Sequence, residues 1–126
     1  MIQFDHVSKT YPGGVEAVRD LSLQIRDRQT LVLLGTSGCG KTTTLKMINR
    51  LIEPTSGNIL IDATDIREIN PIQLRRQIGY TIQHIGLFPH MTVEKNIAFG
   101  PRIMGMSRND RKRKVRELLD LVGLSG

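Results

Sequence analysis

Leu31-Val32-Leu33-Leu34-Gly35-Thr36-Ser37-Gly38-Cys39-Gly40-Lys41-Thr42-Thr43-Thr44-Leu45 is the stretch on which the fold turns. It opens with four apolar residues in a row, the pattern of a strand buried on both faces. A glycine-rich loop follows, and then a helical pattern in which Leu45, Ile48 and Ile52 recur at +3 and +7. The loop matches G-x-x-x-x-G-K-[ST] in full over residues 35–42. Each part has a chemical reason. Gly35, Gly38 and Gly40 let the backbone curl close to phosphate oxygens with no Cβ in the way. Thr36, Ser37 and Cys39 complete a nest of inward-pointing N–H groups. The helix that starts near Lys41 adds its positive end. Lys41 supplies a point charge for β- and γ-phosphates. The Thr42 hydroxyl is suited to ligate Mg²⁺, and Thr43 is placed for the α-phosphate. Strand, loop and helix together point to a nucleoside triphosphate, without saying which kind of protein binds it.

Outward from this loop, the chain reads as strands first and helices last. Met1 to Val7 alternates weakly, as an exposed or edge strand would. Tyr11-Pro12-Gly13-Gly14 is a turn. Leu21-Ser22-Leu23-Gln24-Ile25 alternates strictly, as a half-buried antiparallel strand does. Asn58–Asp62 and Ile78–Gln83 are two further expected strands. Asn70-Pro71 predicts an N-cap and first-turn proline for a helix through Gln77. His84 to Met91 reads as a loop. Thr92 is an N-cap for a helix carrying Val93, Ile97 and Phe99, which Pro101 should kink or end. Ser107 with Asp110 forms a capping box, and Val115, Leu118, Leu119 and Val122 then fall on one stripe. Gly123 is a natural stop. The expected class is α/β, with an antiparallel entry, a strand–loop–helix core and a helical end.

Composition bounds the function. A chain of 126 residues is about one domain, and 39% hydrophobic with 24% charged residues fits a globular protein. No run of apolar residues is long enough to span a membrane, and Met1-Ile2-Gln3-Phe4-Asp5 does not read as a secretory signal. The single cysteine, Cys39, rules out a disulfide framework within these residues and suits a reducing compartment. In the loop it is a small filler or a thiol sensitised by the helix start. The net charge is +6, and residues 101–126 hold seven basic and three acidic side chains. That excess, in Arg108, Arg111, Lys112, Arg113, Lys114 and Arg116, is either a solvated helix face or a contact for nucleic acid or anionic lipid. Five aromatic residues, none of them Trp, give little for base-stacking platforms.

Further phrases carry a resemblance. Tyr11, 24 residues before Gly35, and Tyr80-Thr81-Ile82-Gln83-His84-Ile85-Gly86-Leu87-Phe88-Pro89-His90-Met91-Thr92-Val93 resemble the adenine-stacking aromatic and the Q-loop of ABC transporter ATPases. Glu94-Lys95-Asn96-Ile97 resembles the start of that family's helical subdomain. Residues 44–57 with Gln83–Met91 are similar to importers of quaternary-ammonium osmoprotectants such as glycine betaine, carnitine and choline. Polyamine, iron and sulfate importers share much of the pattern.

The resemblance implies a P-loop NTPase of ABC type, with a nucleotide-binding core over 1–91 and the beginning of a helical subdomain over 92–126. It implies ATP and Mg²⁺ as cofactors, Tyr11 stacked on adenine, and Gln83 reaching Mg²⁺ or the attacking water. It implies a second copy of the subunit in a head-to-tail ATP sandwich and a membrane permease contacting the 84–91 loop and the helical subdomain. It implies no nucleic-acid partner, and a peripheral place on the cytoplasmic side of the membrane.

The family's remaining catalytic motifs are not matched. Ile59-Leu60-Ile61-Asp62 is followed by Ala63 and precedes the Q-loop, and Leu124-Ser125-Gly126 spells only three letters of the Leu-Ser-Gly-Gly-Gln signature. The sequence thus looks like the N-terminal portion of a domain near twice this length. Nucleotide binding without efficient hydrolysis is the expectation for these residues. A nucleotide-holding module with no transport role, and a nucleic-acid-associated P-loop protein using the basic helix, are the competing readings.

Overall fold

The structure, a computed structural model, describes residues 1–83 and 86–124. It divides into two compact units, Met1–Gly79 and Tyr80–Gly126.

The first unit is built on a four-stranded antiparallel sheet in the order β2-β1-β3-β4, from β1 (Ile2–Thr10), β2 (Glu16–Ile25), β3 (Ser56–Ile61) and β4 (Thr64–Asp65). The first strand is therefore central, not at an edge: Phe4 faces Leu23 on one side and Ile59 on the other. Its weak alternation has a local cause. The register slips between Phe4 and Val7, and His6 sits at φ 47°. Such a bulge inserts a residue and brings Phe4 and Val7 onto the same face, three positions apart instead of two. Both are buried, with Met47, Ile59, Ile66 and Leu74, in one apolar cluster. Full burial of side chains of this size is worth about 1.5–3 kcal/mol each.

The stretch Leu31–Leu34 is neither strand nor helix. Among the described residues no strand pairs with it, and Leu34 is 87% exposed and Val32 68%. A strand is defined by its ladder, so an apolar run with no neighbour to donate or accept hydrogen bonds stays irregular. Ile78–Gln83 is likewise not a strand.

The helix after the loop, α1 (Lys41–Ile48), stops before Ile52. It buries Thr44 and Met47, whereas Leu45, expected on the inward stripe, is exposed. Arg50 ends it at φ 52°. A non-glycine residue in this region costs on the order of 1–3 kcal/mol and persists only where its surroundings hold it. The helix α2 (Pro71–Gln77) begins as expected: the Asn70 side chain accepts from the N–H groups of Ile72 and Gln73, and Pro71 occupies the first turn.

The second unit holds α3 (Val93–Ile103) and α4 (Arg108–Leu121). Thr92 caps α3 by accepting from the Lys95 N–H at 3.3 Å. Pro101 lies inside α3 and does not end it. It removes one backbone donor, but only two helical residues follow, and Met106 N–H closes back onto the Pro101 carbonyl at 3.0 Å. Ser107 caps α4 as expected, with the Asp110 N–H donating to Ser107 Oγ at 3.2 Å, but the Asp110 carboxylate accepts from the Ser107 hydroxyl at 2.6 Å, not from the backbone N–H that a full capping box uses. Of the expected stripe, Val115 is buried and Leu118 and Leu119 are half-buried, while Val122 lies past the helix end and is 61% exposed. Before α3, Asn96 stitches the loop to the helix. Its side-chain oxygen accepts from Phe88 N–H at 2.7 Å, and its amide donates to the carbonyls of Phe88, Met91 and Thr92. His84 and Ile85 of the expected loop, and Ser125 and Gly126, lie outside the described residues.

Candidate functional site

The loop from Gly35 to Lys41 runs from the irregular apolar stretch into α1, and residues 35–39 are exposed. Gly40 is the N-cap of α1, at φ 92°. A Cβ there would lie 2.2 Å from the Ala17 carbonyl oxygen on β2. Only glycine allows both this left-handed turn and this close approach, so Gly40 seats the start of α1 against the sheet.

The start of α1 is chemically unusual. It has no side-chain cap and no acidic residue in its first turn. The first N–H groups of a helix have no partner within the helix, so here they remain available to an anion. Lys41 Nζ donates to the carbonyls of Gly35 and Thr36 at 2.8 and 2.7 Å and lies 3.4 Å from Cys39 Sγ. The ammonium is thus folded back onto the beginning of the loop. Thr42 is exposed in the same turn, and Thr44 is turned inward, its hydroxyl donating to the Gly40 carbonyl at 3.0 Å.

Tyr11 reaches this turn from the end of β1. Its hydroxyl is 3.2 Å from Thr43 Oγ1, and Lys9 Nζ lies over its ring, 5.4 Å from the centroid. The hydroxyl contact holds the phenol beside α1, and the cation occupies one ring face. Sequence reasoning did not single out Lys9. The signal was available in Lys9-Thr10-Tyr11, because residues two apart on a strand share a face.

The structure therefore brings Tyr11, Gly35–Lys41, Thr42 and Thr43 together in the first unit. Gln83 is exposed in a bend of the second unit. The same unit carries a hollow of about 360 Å³ lined by Leu87, Phe88, Pro89, Met91, Val93 and Ile97, with the Phe88 and Phe99 rings 4.6 Å apart beside it.

Comparison with known proteins gives this geometry a family. The profile of the ABC transporter family matches residues 18–126. A choline transport ATP-binding protein of Bacillus subtilis is 51% identical over 124 residues, covering 98% of this chain and 32% of its own length. A glycine betaine/carnitine/choline transport ATP-binding protein of the same organism is 52% identical, with 98% and 33% covered. An osmoprotectant import ATP-binding protein of Salmonella typhimurium is 47% identical, with 98% and 34% covered. The chain spans about a third of the length of these curated relatives. Among solved structures, a dimeric ATP-binding cassette in a post-hydrolysis state bound to ADP and Pi is 28% identical, with a TM-score of 0.81 over 95% of this chain and 56% of its own. A component of an ABC transporter complex from Clostridium perfringens is 25% identical, with a TM-score of 0.88 over 98% of this chain and 51% of its own. With the family profile matched over residues 18–126, the chain belongs to the ABC transporter family.

Proposed function

We propose that this chain binds Mg-ATP through residues 35–43 and Tyr11, as part of the energy-coupling subunit of an ABC importer. The observation that carries the reading is the start of α1, which has neither side-chain cap nor carboxylate and whose first residue, Lys41, folds its ammonium back onto the Gly35 and Thr36 carbonyls. Backbone N–H groups and Lys41 take the phosphates, and the Tyr11 ring takes the adenine. Mg²⁺ held through nucleotide phosphates needs few protein ligands; Thr42 and Gln83 are the residues assigned to it. The same Gln83 is assigned to positioning the attacking water.

The importer's solute is an osmoprotectant of the choline, carnitine or glycine betaine type, supported by relatives near 50% identity that are choline and glycine betaine/carnitine/choline transport ATP-binding proteins. A spermidine/putrescine import protein at 45% and a trehalose import protein at 46% keep other solutes as the second reading. The 84–91 loop and the helical subdomain receive the permease, a role that suits the apolar hollow around Phe88 and Met91. A second copy of the subunit closes over the nucleotide. The place of action is the cytoplasmic face of the membrane; among the described residues no helix is long and apolar enough to cross one.

These 126 residues contain no Asp-Glu pair after an apolar run and no complete signature, so binding, not turnover, is the activity assigned to them. The test is a titration of the chain with fluorescent Mg-ATP, beside steady-state phosphate release. Saturable binding with background phosphate release is expected. Absence of binding would overturn the reading, and turnover near 1 s⁻¹, ordinary for an enzyme, would show that a catalytic base lies within these residues.

A further inference from the structure

The far end of α1 is held by two arginines that the nucleotide reading does not use. Arg50 follows the C-cap Asn49, at φ 52°. Its N–H donates to the Met47 carbonyl at 3.0 Å, and the Leu51 N–H donates to the Lys46 carbonyl at 2.9 Å. These are the two bonds of a Schellman turn, in which glycine is the usual residue at the left-handed position. Arginine occupies it here, and its side chain is engaged. Nη1 donates to the carbonyls of Ile66 and Ile69 at 3.1 and 3.0 Å, and Nε donates to Glu53 Oε1 at 3.0 Å. Arg75 meets the same end from α2, with Nε on the Asn49 carbonyl at 3.0 Å and Nη2 on the Arg50 carbonyl at 2.6 Å. One guanidinium reaches out from the end of α1 to the 66–69 segment, and the other reaches in from α2.

We propose that Arg50 and Arg75 form a clamp that positions α1, and with it the phosphate loop, for nucleotide. Both are positioning residues, acting through the helix. The inference rests on the nucleotide-binding reading above. At 8 residues, α1 is a rod of about 12 Å with only Thr44 and Met47 buried along it. Its head is fixed by the contact of Gly40 with β2, and its tail by the two arginines. A phosphate held by several backbone donors at once requires all of them in place together, so a tail free to shift weakens binding at the head. Two cations at the carboxyl end also complement the helix dipole, whose positive end faces the phosphate. The left-handed arginine fits this account. Glycine would make the turn at lower backbone cost, but it could not bridge to Ile66 and Ile69.

The test is Mg-ATP titration of the 126-residue chain and its variants, with thermal unfolding followed in parallel. Arg50→Gly keeps the turn and removes the bridge. Its dissociation constant should rise about tenfold, the scale of one lost charge-assisted hydrogen bond, while the relieved backbone offsets part of the lost stability. Arg75→Ala should rise by a similar factor, and Arg75→Lys should recover part of it. The double variant should lose less than the product of the two, because both act on one helix end. Ile61→Ala, on β3 and outside the clamp's hydrogen bonds, should lower the unfolding temperature and leave the affinity of the folded protein unchanged. If Arg75→Ala does not fold, Arg50→Gly and Arg75→Lys decide the matter. Wild-type affinity in folded Arg50→Gly and Arg75→Lys, or an Ile61→Ala loss as large as theirs, would overturn the clamp alone. No Mg-ATP binding by the unaltered chain would overturn the nucleotide reading and the clamp with it.

Discussion

The starts of α1 and α4 are built on opposite plans. At α4, Ser107 accepts from the Asp110 N–H, and Asp110 adds a carboxylate to the first turn. Asn70 and Thr92 do the capping at α2 and α3. At α1 the N-cap is a glycine in the left-handed region, the first turn holds no acid, and a lysine stands where the helix begins. Each helix has the same unpaired donors at its start. At three of them a side chain takes one or two of these donors, and at α1 no side chain takes any. A glycine N-cap in place of Ser, Thr, Asn or Asp gives up only about a few tenths of a kcal/mol of stability, and in the functional reading a bound phosphate makes good the loss.

The sharpest way to break the contrast is to give α1 what α4 has. Thr43→Asp puts a carboxylate three positions after the N-cap, as Asp110 is after Ser107. Helix stability should hold or rise by about 0.3–1 kcal/mol, while Mg-ATP affinity should fall more than about 100-fold, since a fixed negative charge then faces the phosphates. Calorimetric titration beside thermal melts would show whether the two move in opposite directions. Lys41→Ala should cost nearly as much binding, about 100-fold, because a charge-assisted contact is lost; a fluorescent-nucleotide competition assay reads this directly. Ser107→Ala, at the other helix, should cost about 1 kcal/mol of stability and leave nucleotide affinity unchanged. Any weakening of binding in that folded variant would mean that the basic helix takes part in the site.

Two smaller effects refine the comparison. Tyr11→Phe keeps the ring and removes the 3.2 Å contact with Thr43, so affinity should drop about fivefold, equally for ATP and GTP. Selective loss of ATP would show that a hydrogen-bonding group reads the base. Acid separates the regions by a different property. The loop from Gly35 to Lys41 has no carboxylate, whereas on β4 the Arg67 side chain hydrogen-bonds Asp65 and holds its pKa below the ordinary 3.8. A carboxylate lowered in this way stabilises the fold above its unfolded value, and that contribution fades as the pH falls through the lower folded one. Denaturant midpoints between pH 5 and pH 2 should therefore fall more steeply in the unaltered chain than in Asp65→Asn.

The parts that were legible in the sequence are those in which neighbours along the chain determine the chemistry. The Gly35–Thr42 loop, the Asn70, Thr92 and Ser107 caps and the alternation of Leu21, Leu23 and Ile25 are local patterns, and each is found where it was read. Misread segments depend on distant partners. Leu31–Leu34 has a strand's composition but no ladder partner among the described residues. The bulge at His6 disguised β1 as an edge strand, and Pro101 is tolerated because the helix ends two residues later.

By itself, then, the sequence determined where the glycine loop runs into its helix, because glycine conformational freedom, backbone donors and one ammonium act within a few residues of one another. Only the tertiary structure decided what holds those residues in place. Ala17 pressed against Gly40, the Tyr11–Thr43 contact and the carbonyls that receive Arg50 and Arg75 all join residues from 16 to 32 positions apart. Such pairings depend on how strands and helices pack, a choice that no local pattern encodes.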